Sequence, residues 1–374
     1  MKIGILKEHA DSRVAMLPET VAALKKLKVE VIMEKGAGEG AFAPDEAYTE
    51  AGAEILGRSE VVKQADVLVQ ITPPSDDEMK NLREGQALIS MLNPLGEPDR
   101  VKALRDWGVT AFSLELIPRI SRAQAMDVLS SMATVAGYKA VLEAANTLPT
   151  FFPMFMSAAG TIKPAKVLIL GAGVAGLQAI AIARKLGAVV EVFDVRSAVK
   201  EEVKSLGGKF IEVEGAVEDA AAGGYAVEQT EEFKQKQQQM IQDHAADANV
   251  VIATAQIPGR KAPVLVKKET VERMKPGSVI IDLAASSGGN CEMTQNNRII
   301  SHNNVTIVGK SNYPAEMPAD ASKMFGRNLL NFLKLIIDEE GGMNLDFEDE
   351  IVKGTCLVHQ KEIVNERVKS IIKP

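Results

Sequence analysis

The stretch KVLILGAGVAGLQAIAIARKLGAVVEVFDVR, residues 166–196, decides the fold. An apolar run from Val167 to Leu170 leads straight into Gly171-Ala172-Gly173-Val174-Ala175-Gly176 and an Ala-rich helix. In that context each glycine has a separate task. Gly171 permits a tight turn, Gly173 lets the backbone come close to a pyrophosphate, and Gly176 lets the helix pack closely, leaving the helix N-terminus facing phosphate. The next apolar run ends in Asp194, eighteen residues past Gly176, followed by Val195 and Arg196. A carboxylate there accepts both ribose hydroxyls of an adenosine and repels a 2′-phosphate, which favours NAD over NADP. Arg196 stays open between two readings: it faces adenine or pyrophosphate, or it admits NADP, and the acid ahead of it favours the first. The plainer alternative to a nucleotide site is a tight strand-to-helix turn with Asp194 solvated at a strand end.

Outward from this motif, short apolar runs alternate with helical stretches in both directions. On the N-terminal side strands are expected over 1–6, 30–34, 65–72 and 86–91, with a helix over 18–26. On the C-terminal side they are expected over 165–170, 189–193, 210–213, 250–253, 279–283 and 306–308. Alternation at this spacing implies crossover connections and parallel sheets. A long apolar-periodic helix is expected over 121–147 and another over 321–339. The expected architecture is α/β: two Rossmann-like domains with parallel sheets facing a cleft and joined by long helices. The N-terminal domain would be discontinuous, 1–125 plus 319–374, and the dinucleotide-binding domain would span 126–318.

Composition narrows the function classes. The chain has 374 residues, 46% hydrophobic and 25% charged, which fits compact folding rather than disorder. A formal net charge of −7 argues against binding phosphate backbones, so no nucleic acid partner is expected. MKIGILKEH begins as an alternating strand rather than a secretory signal, and no apolar run reaches the roughly 20 residues of a spanning helix, so no direct membrane insertion is expected. Two cysteines, Cys291 and Cys356, lack paired spacing, so neither a disulfide framework nor a metal site is expected.

The stretch GAGVAGLQAIAIARKLGAVVEVFDVR, together with RISRAQAMDVLSSMATVAGYKAV at 119–141, resembles the soluble NAD(H)-binding first domain of proton-translocating NAD(P) transhydrogenases. Further matches are GILKEHADSRVAMLPE at 4–19, GGYA at 223–226, IPGRKAPVLV at 257–266 and IIDLAASSGGNCE at 280–292. The resemblance covers essentially the whole chain, and RISRAQ is its specific part. The rest is shared with alanine dehydrogenases. The resemblance implies that NAD(H) bound here exchanges hydride with NADP(H) on a partner subunit, coupled through a membrane domain to proton movement. It also implies a homodimer in the cytoplasm, peripheral to the inner membrane through the complex.

By the resemblance, Arg119, Gln124, Asp127 and Ser130 surround the nicotinamide and its ribose. The residues themselves leave two readings equal: Gln124 and Asp127 share a helix face by their three-residue spacing, or Ser121 merely caps a helix with Asp127 and Arg119 solvated. Gly224 and Tyr225 lie in AAAGGYA, where adjacent glycines suggest a mobile loop that the resemblance makes a lid; a surface insertion is the alternative. Thr254 and Ala255, at a strand end beside the crevice of a doubly wound sheet, are expected to line the nucleotide site through their backbone.

An NAD-dependent alanine dehydrogenase is the competing function. Such an enzyme needs a cation for the substrate carboxylate and a titratable group for proton transfer. Where the alanine dehydrogenase pattern has Lys, His and Asp, this chain has Thr72, Asn93 and Ser286. Arg13 remains, either as a carboxylate anchor or as a structural ion-pair partner. Hydride transfer between two nicotinamide rings needs placement and no acid or base. None of the four histidines, His9, His244, His302 and His359, falls in a motif that gives it a role.

Overall fold

The computed structural model describes residues 1–213, 230–257 and 259–372. The chain divides into two compact units, Met1–Met132 with Pro314–Pro374, and Ala133–Tyr313. Both are α/β, with sheets that are mostly parallel.

In the first unit the sheet runs in the order Glu362–Ile363, Cys356–His359, Thr110–Ser113, Ala87–Ser90, Val67–Val69, Lys2–Ile5, Glu30–Glu34, Ala53–Leu56, eight strands among the described residues. The last six are parallel to their neighbours. Central strands such as Val67–Val69 and Ala87–Ser90 are buried along their whole length, as expected where a parallel sheet is covered on both faces. Each such Val, Leu or Ile contributes about 1.5–3 kcal/mol on burial. The C-terminal return adds the two antiparallel strands and the helix Pro318–Ile336, opened by a proline in its first turn. That helix buries Phe325, Leu329, Phe332 and Leu333, with Phe332 edge-on to Phe112 at 5.6 Å.

The second unit holds seven strands among the described residues, in the order Lys209–Phe210, Val189–Phe193, Lys166–Leu170, Val250–Ala253, Val279–Asp282, Val305–Val308, Ile299–His302. All are parallel except the edge strand Ile299–His302. Chain order reverses between Lys166–Leu170 and Val250–Ala253. That reversal is the switch point at which doubly wound sheets bind ligands, beyond the carboxyl ends of the strands. Gly171 and Thr254 are the first residues past those two ends.

The expected helix over 121–147 is two elements. A 3-10 helix covers Ser121–Met126, Asp127 is extended at ψ 93°, and the α-helix runs Val128–Thr147. No helix among the described residues is long and apolar enough to cross a membrane.

Candidate functional site

In the second unit the buried strand Lys166–Leu170 ends at Gly171, which sits at φ +103°, a region closed to most side chains. The helix Val174–Lys185 starts two residues later with Gly173 at its N-cap. A Cβ on Gly176 would lie 1.9 Å from the carbonyl oxygen of Gly171, so the third glycine is required by the turn's own backbone. A Cβ on Gly173 would meet nothing within 4 Å. The middle glycine therefore keeps open a space beside a helix N-terminus, where the amide donors of the first turn lack intrahelical partners. Ala172 is buried and Val174 is exposed on either side of it.

Asp194 follows the strand Val189–Phe193 and reaches back to the turn. Its Oδ2 accepts the Ala172 N–H at 2.7 Å, and its Oδ1 accepts the Arg196 N–H at 2.8 Å. Arg196 also forks onto it, Nε to Oδ1 and a terminal nitrogen to Oδ2, both at 3.0 Å. Burial pushes the Asp194 pKa up, but the Arg196 and Ala172 bonds and the guanidinium charge outweigh it, and the net shift is downward. Neither placement of Arg196 left open by the sequence describes it: its charge is committed to Asp194, with Val195 exposed between them. That pairing takes away the spare cation a 2′-phosphate would need.

Thr254 and Ala255 abut the glycine turn, but not in the expected way. The Thr254 N–H is donated to Leu170 O at 2.8 Å and its hydroxyl to Gly171 O at 3.0 Å. The Ala255 N–H goes to Asn290 Oδ1 at 3.0 Å, and its carbonyl accepts from Asn290 Nδ2 at 2.9 Å. Their backbone donors are thus used inside the protein, and these residues brace the turn. Asn290 and Asp282, both fully buried, were missed in the sequence. Asp282 accepts the N–H groups of Ala284, Asn290 and Cys291 and the Thr294 hydroxyl, which shapes the loop that carries Asn290. The available signal was an acid ending an otherwise apolar strand, IIDLAASSGGN. Gly224 and Tyr225 lie outside the described residues.

In the first unit the segment carrying Arg119, Gln124 and Asp127 is not one helix face. Gln124 lies in the 3-10 turn, while Asp127 caps the next helix, its Oδ1 accepting the Ser130 N–H at 2.9 Å and its Oδ2 the Ser130 hydroxyl at 2.6 Å. Capping therefore falls to Asp127 and not to Ser121, and it uses both carboxylate oxygens. Arg119 and Gln124 are exposed and make no side-chain hydrogen bond among the described residues.

Arg13 is resolved as an ion-pair partner. Its guanidinium is bidentate on Asp11, Nε to Oδ1 at 3.0 Å and a terminal nitrogen to Oδ2 at 2.6 Å, with the two side chains only 6% and 1% exposed. Thr72 donates its hydroxyl to the buried Glu8 at 2.6 Å, and the Asn93 N–H is taken by Glu115 at 2.5 Å. Burial raises the pKa of both Glu8 and Glu115 against their hydrogen bonds. The histidines serve surface contacts: His9 with Glu78, His244 with Glu191, His302 with Glu272, and His359 with Thr110.

The profile of the alanine dehydrogenase/PNT N-terminal domain matches residues 4–136 and that of the C-terminal domain residues 140–366. The chain belongs to the alanine dehydrogenase/PNT family. Within this family it is 47% identical over 376 residues to the first of the separate chains that make up the NAD(P) transhydrogenase subunit alpha of Rhodospirillum rubrum, covering 98% of each chain. It is 32% identical to alanine dehydrogenase of Bacillus subtilis over 77% of this chain and 72% of that one. Among solved structures of the family, the transhydrogenase from Sinorhizobium meliloti aligns with TM-score 0.86 at 40% identity, over 98% of this chain and 100% of that one. An L-alanine dehydrogenase aligns with TM-score 0.83 at 25% identity, over 99% of both chains.

Proposed function

We propose that this chain is the NAD(H)-binding subunit of an NAD(P) transhydrogenase. It exchanges hydride with NADP(H) held by a partner subunit, and a membrane subunit couples the exchange to proton translocation. The observation that carries the choice over alanine dehydrogenase is the buried Arg13–Asp11 pair. A cation whose fork is filled by an internal carboxylate does not anchor a substrate carboxylate. Thr72, Asn93 and Ser286 supply neither a second cation nor an acid or base. The higher identity to relatives named transhydrogenase subunit alpha supports the same choice.

The second unit fits a dinucleotide. The open space at Gly173, the turn closed by Gly176, and Asp194 bonded to Ala172 form a cradle for pyrophosphate and adenosine ribose. Bound NAD(H) supplies or accepts the hydride. The chain's own role is to bind, orient and exclude water. Val174 and the first helical turn carry the phosphate end, Asp194 takes ribose hydroxyls as Arg196 yields them, and Thr254 and Ala255 fix the floor of the turn. Arg119 and Gln124 orient the nicotinamide end, with Asp127 and Ser130 setting where their segment meets the helix. Tyr225 and Gly224 act as the lid. Such a site makes placement, not proton transfer, the source of rate.

The test is NADPH-dependent reduction of an NAD analogue by the purified chain, with and without a separately expressed NADP(H)-binding partner. A rate that appears with the partner and saturates supports the reading. Partner-independent oxidation of NADH by pyruvate and ammonium would replace it with an amino acid dehydrogenase. Assembly as a homodimer, and attachment to the cytoplasmic face of the inner membrane through the complex, belong to the same proposal.

A further inference from the structure

A six-residue 3-10 turn is a poor platform on its own, because its hydrogen bonds are badly aligned and its last carbonyls lack partners. The turn Ser121–Met126 is nevertheless held at two points on either side of Gln124. The carbonyl of Ala125 accepts two side-chain amides, Asn328 Nδ2 at 2.9 Å and Asn331 Nδ2 at 3.1 Å. These asparagines stand three residues apart on the helix Pro318–Ile336, so they share one face. On the other side Arg122 forks onto Asp349, at 2.6 and 2.9 Å. Asp349 is itself fixed as the N-cap of the helix Glu350–Thr355, accepting the Ile351 N–H at 2.8 Å. Between the two clamps Ala123 is fully buried.

Asn328 is 8% exposed and its Oδ1 has no hydrogen-bond partner among the described residues. Turning the amide over would set that oxygen against the Ala125 oxygen and lose the bond, so its orientation is determined. An apolar side chain would fill this place without leaving a buried oxygen unpaired. What the asparagine adds is a fixed grip on Ala125. The outcome is an anchored turn from which Gln124 projects, exposed and uncommitted among the described residues.

We propose that Asn328, Asn331 and Asp349, all from the C-terminal return of the chain, are positioning residues that hold segment 119–127 in the geometry from which Arg119 and Gln124 orient the nicotinamide. The inference rests on the transhydrogenase reading above. It makes the returning helix a component of the hydride-transfer apparatus, not only a cover for apolar surface.

The experiment uses the full chain with its NADP(H)-binding partner and compares wild type, the double variant Asn328→Ala/Asn331→Ala, and Arg122→Met. Arg122 is half exposed, so its variant tests the clamp even if the double variant does not fold. Turnover is measured as NADPH-dependent reduction of an NAD analogue, and NADH affinity by fluorescence titration of the chain alone. Loosening the platform is expected to lower kcat on the order of 10- to 100-fold. NADH Kd should stay within about twofold of wild type, because loss of an orienting contact does not remove uniform binding. Unchanged turnover in both variants overturns the proposal. So does a parallel fall of turnover, NADH affinity and Tm, which would mark the contacts as scaffold only. A wild-type chain inactive with its partner removes the transhydrogenase reading, and this inference with it, before any variant is compared.

Discussion

A Cβ at Gly176 would strike the Gly171 carbonyl at 1.9 Å, whereas one at Gly173 would enter open space, so two alanine substitutions three residues apart should fail differently. Gly176→Ala is expected to destabilise the protein by about 1–3 kcal/mol, as overpacking does. Gly173→Ala should leave Tm nearly unchanged and weaken NADH binding by about tenfold or more, because the added methyl stands where phosphate approaches the helix N-terminus. Equal losses of Tm would show that Gly173 is structural. Asp194 gives a second contrast. Its folded pKa lies below the ordinary 3.8, so the stability it contributes is complete above that value and is lost as pH falls through the depressed folded pKa. Arg196→Gln removes the guanidinium that most strongly opposes the upward pull of burial. The Tm difference between wild type and this variant should therefore be largest near neutrality and shrink below about pH 4. A difference that stays constant down to pH 2 would mean the pair does not set the acid response.

The helix Val128–Thr147 begins where Asp127 captures Ser130, and an N-cap of this kind is worth about 1 kcal/mol. Asp127→Ala should lower stability by about that amount in thermal or urea unfolding, and Asp127→Asn by much less, since an amide oxygen still caps. Equal destabilisation by both would point to the charge and not the cap. The sequence carried this boundary as an Asp three residues before a Ser, but apolar periodicity from 121 onward ran across it. A 3-10 turn and an α-helix have nearly the same spacing over six residues. Strand existence was legible where runs were long and apolar, as in Val189–Phe193 and Val250–Ala253, each as expected. Thr110–Ser113 was not, because TAFS is short and polar at both ends, and its four residues are buried only through the neighbours on either side. Cys356–His359 escaped because what makes it a strand is pairing with a segment over 240 residues away in the chain. At the site, the glycine spacing was legible because steric limits are local. Asn290, Asn328 and Asn331 were invisible because their value lies in which distant carbonyl each meets.

Beyond the single chain, the hairpin Phe155–Ser157 with Gly160–Ile162 is exposed at every position. Two strands alone are marginal in water at best. This one nonetheless displays Phe151, Met154, Phe155 and Ile162, with Met156 73% exposed and the Phe151 and Phe155 rings 4.4 Å apart. A contiguous apolar surface of that kind marks an association site. In a homodimer the same patch would meet itself or its surroundings on the second copy, which buries it without requiring any other partner. Sedimentation velocity on the purified chain should then show a dimer at micromolar concentration, and Phe155→Ser/Met156→Ser should yield a monomer with unchanged Tm for the remaining fold. If the wild type stays monomeric over that range, the hairpin has another occupant. If the variant stays dimeric, the copies meet elsewhere. Should the monomeric variant keep NADH affinity but lose partner-dependent turnover, the dimer itself is required to receive the NADP(H)-binding subunit; should turnover persist per chain, each copy is a complete hydride-transfer unit and dimerisation serves only to cover the hairpin.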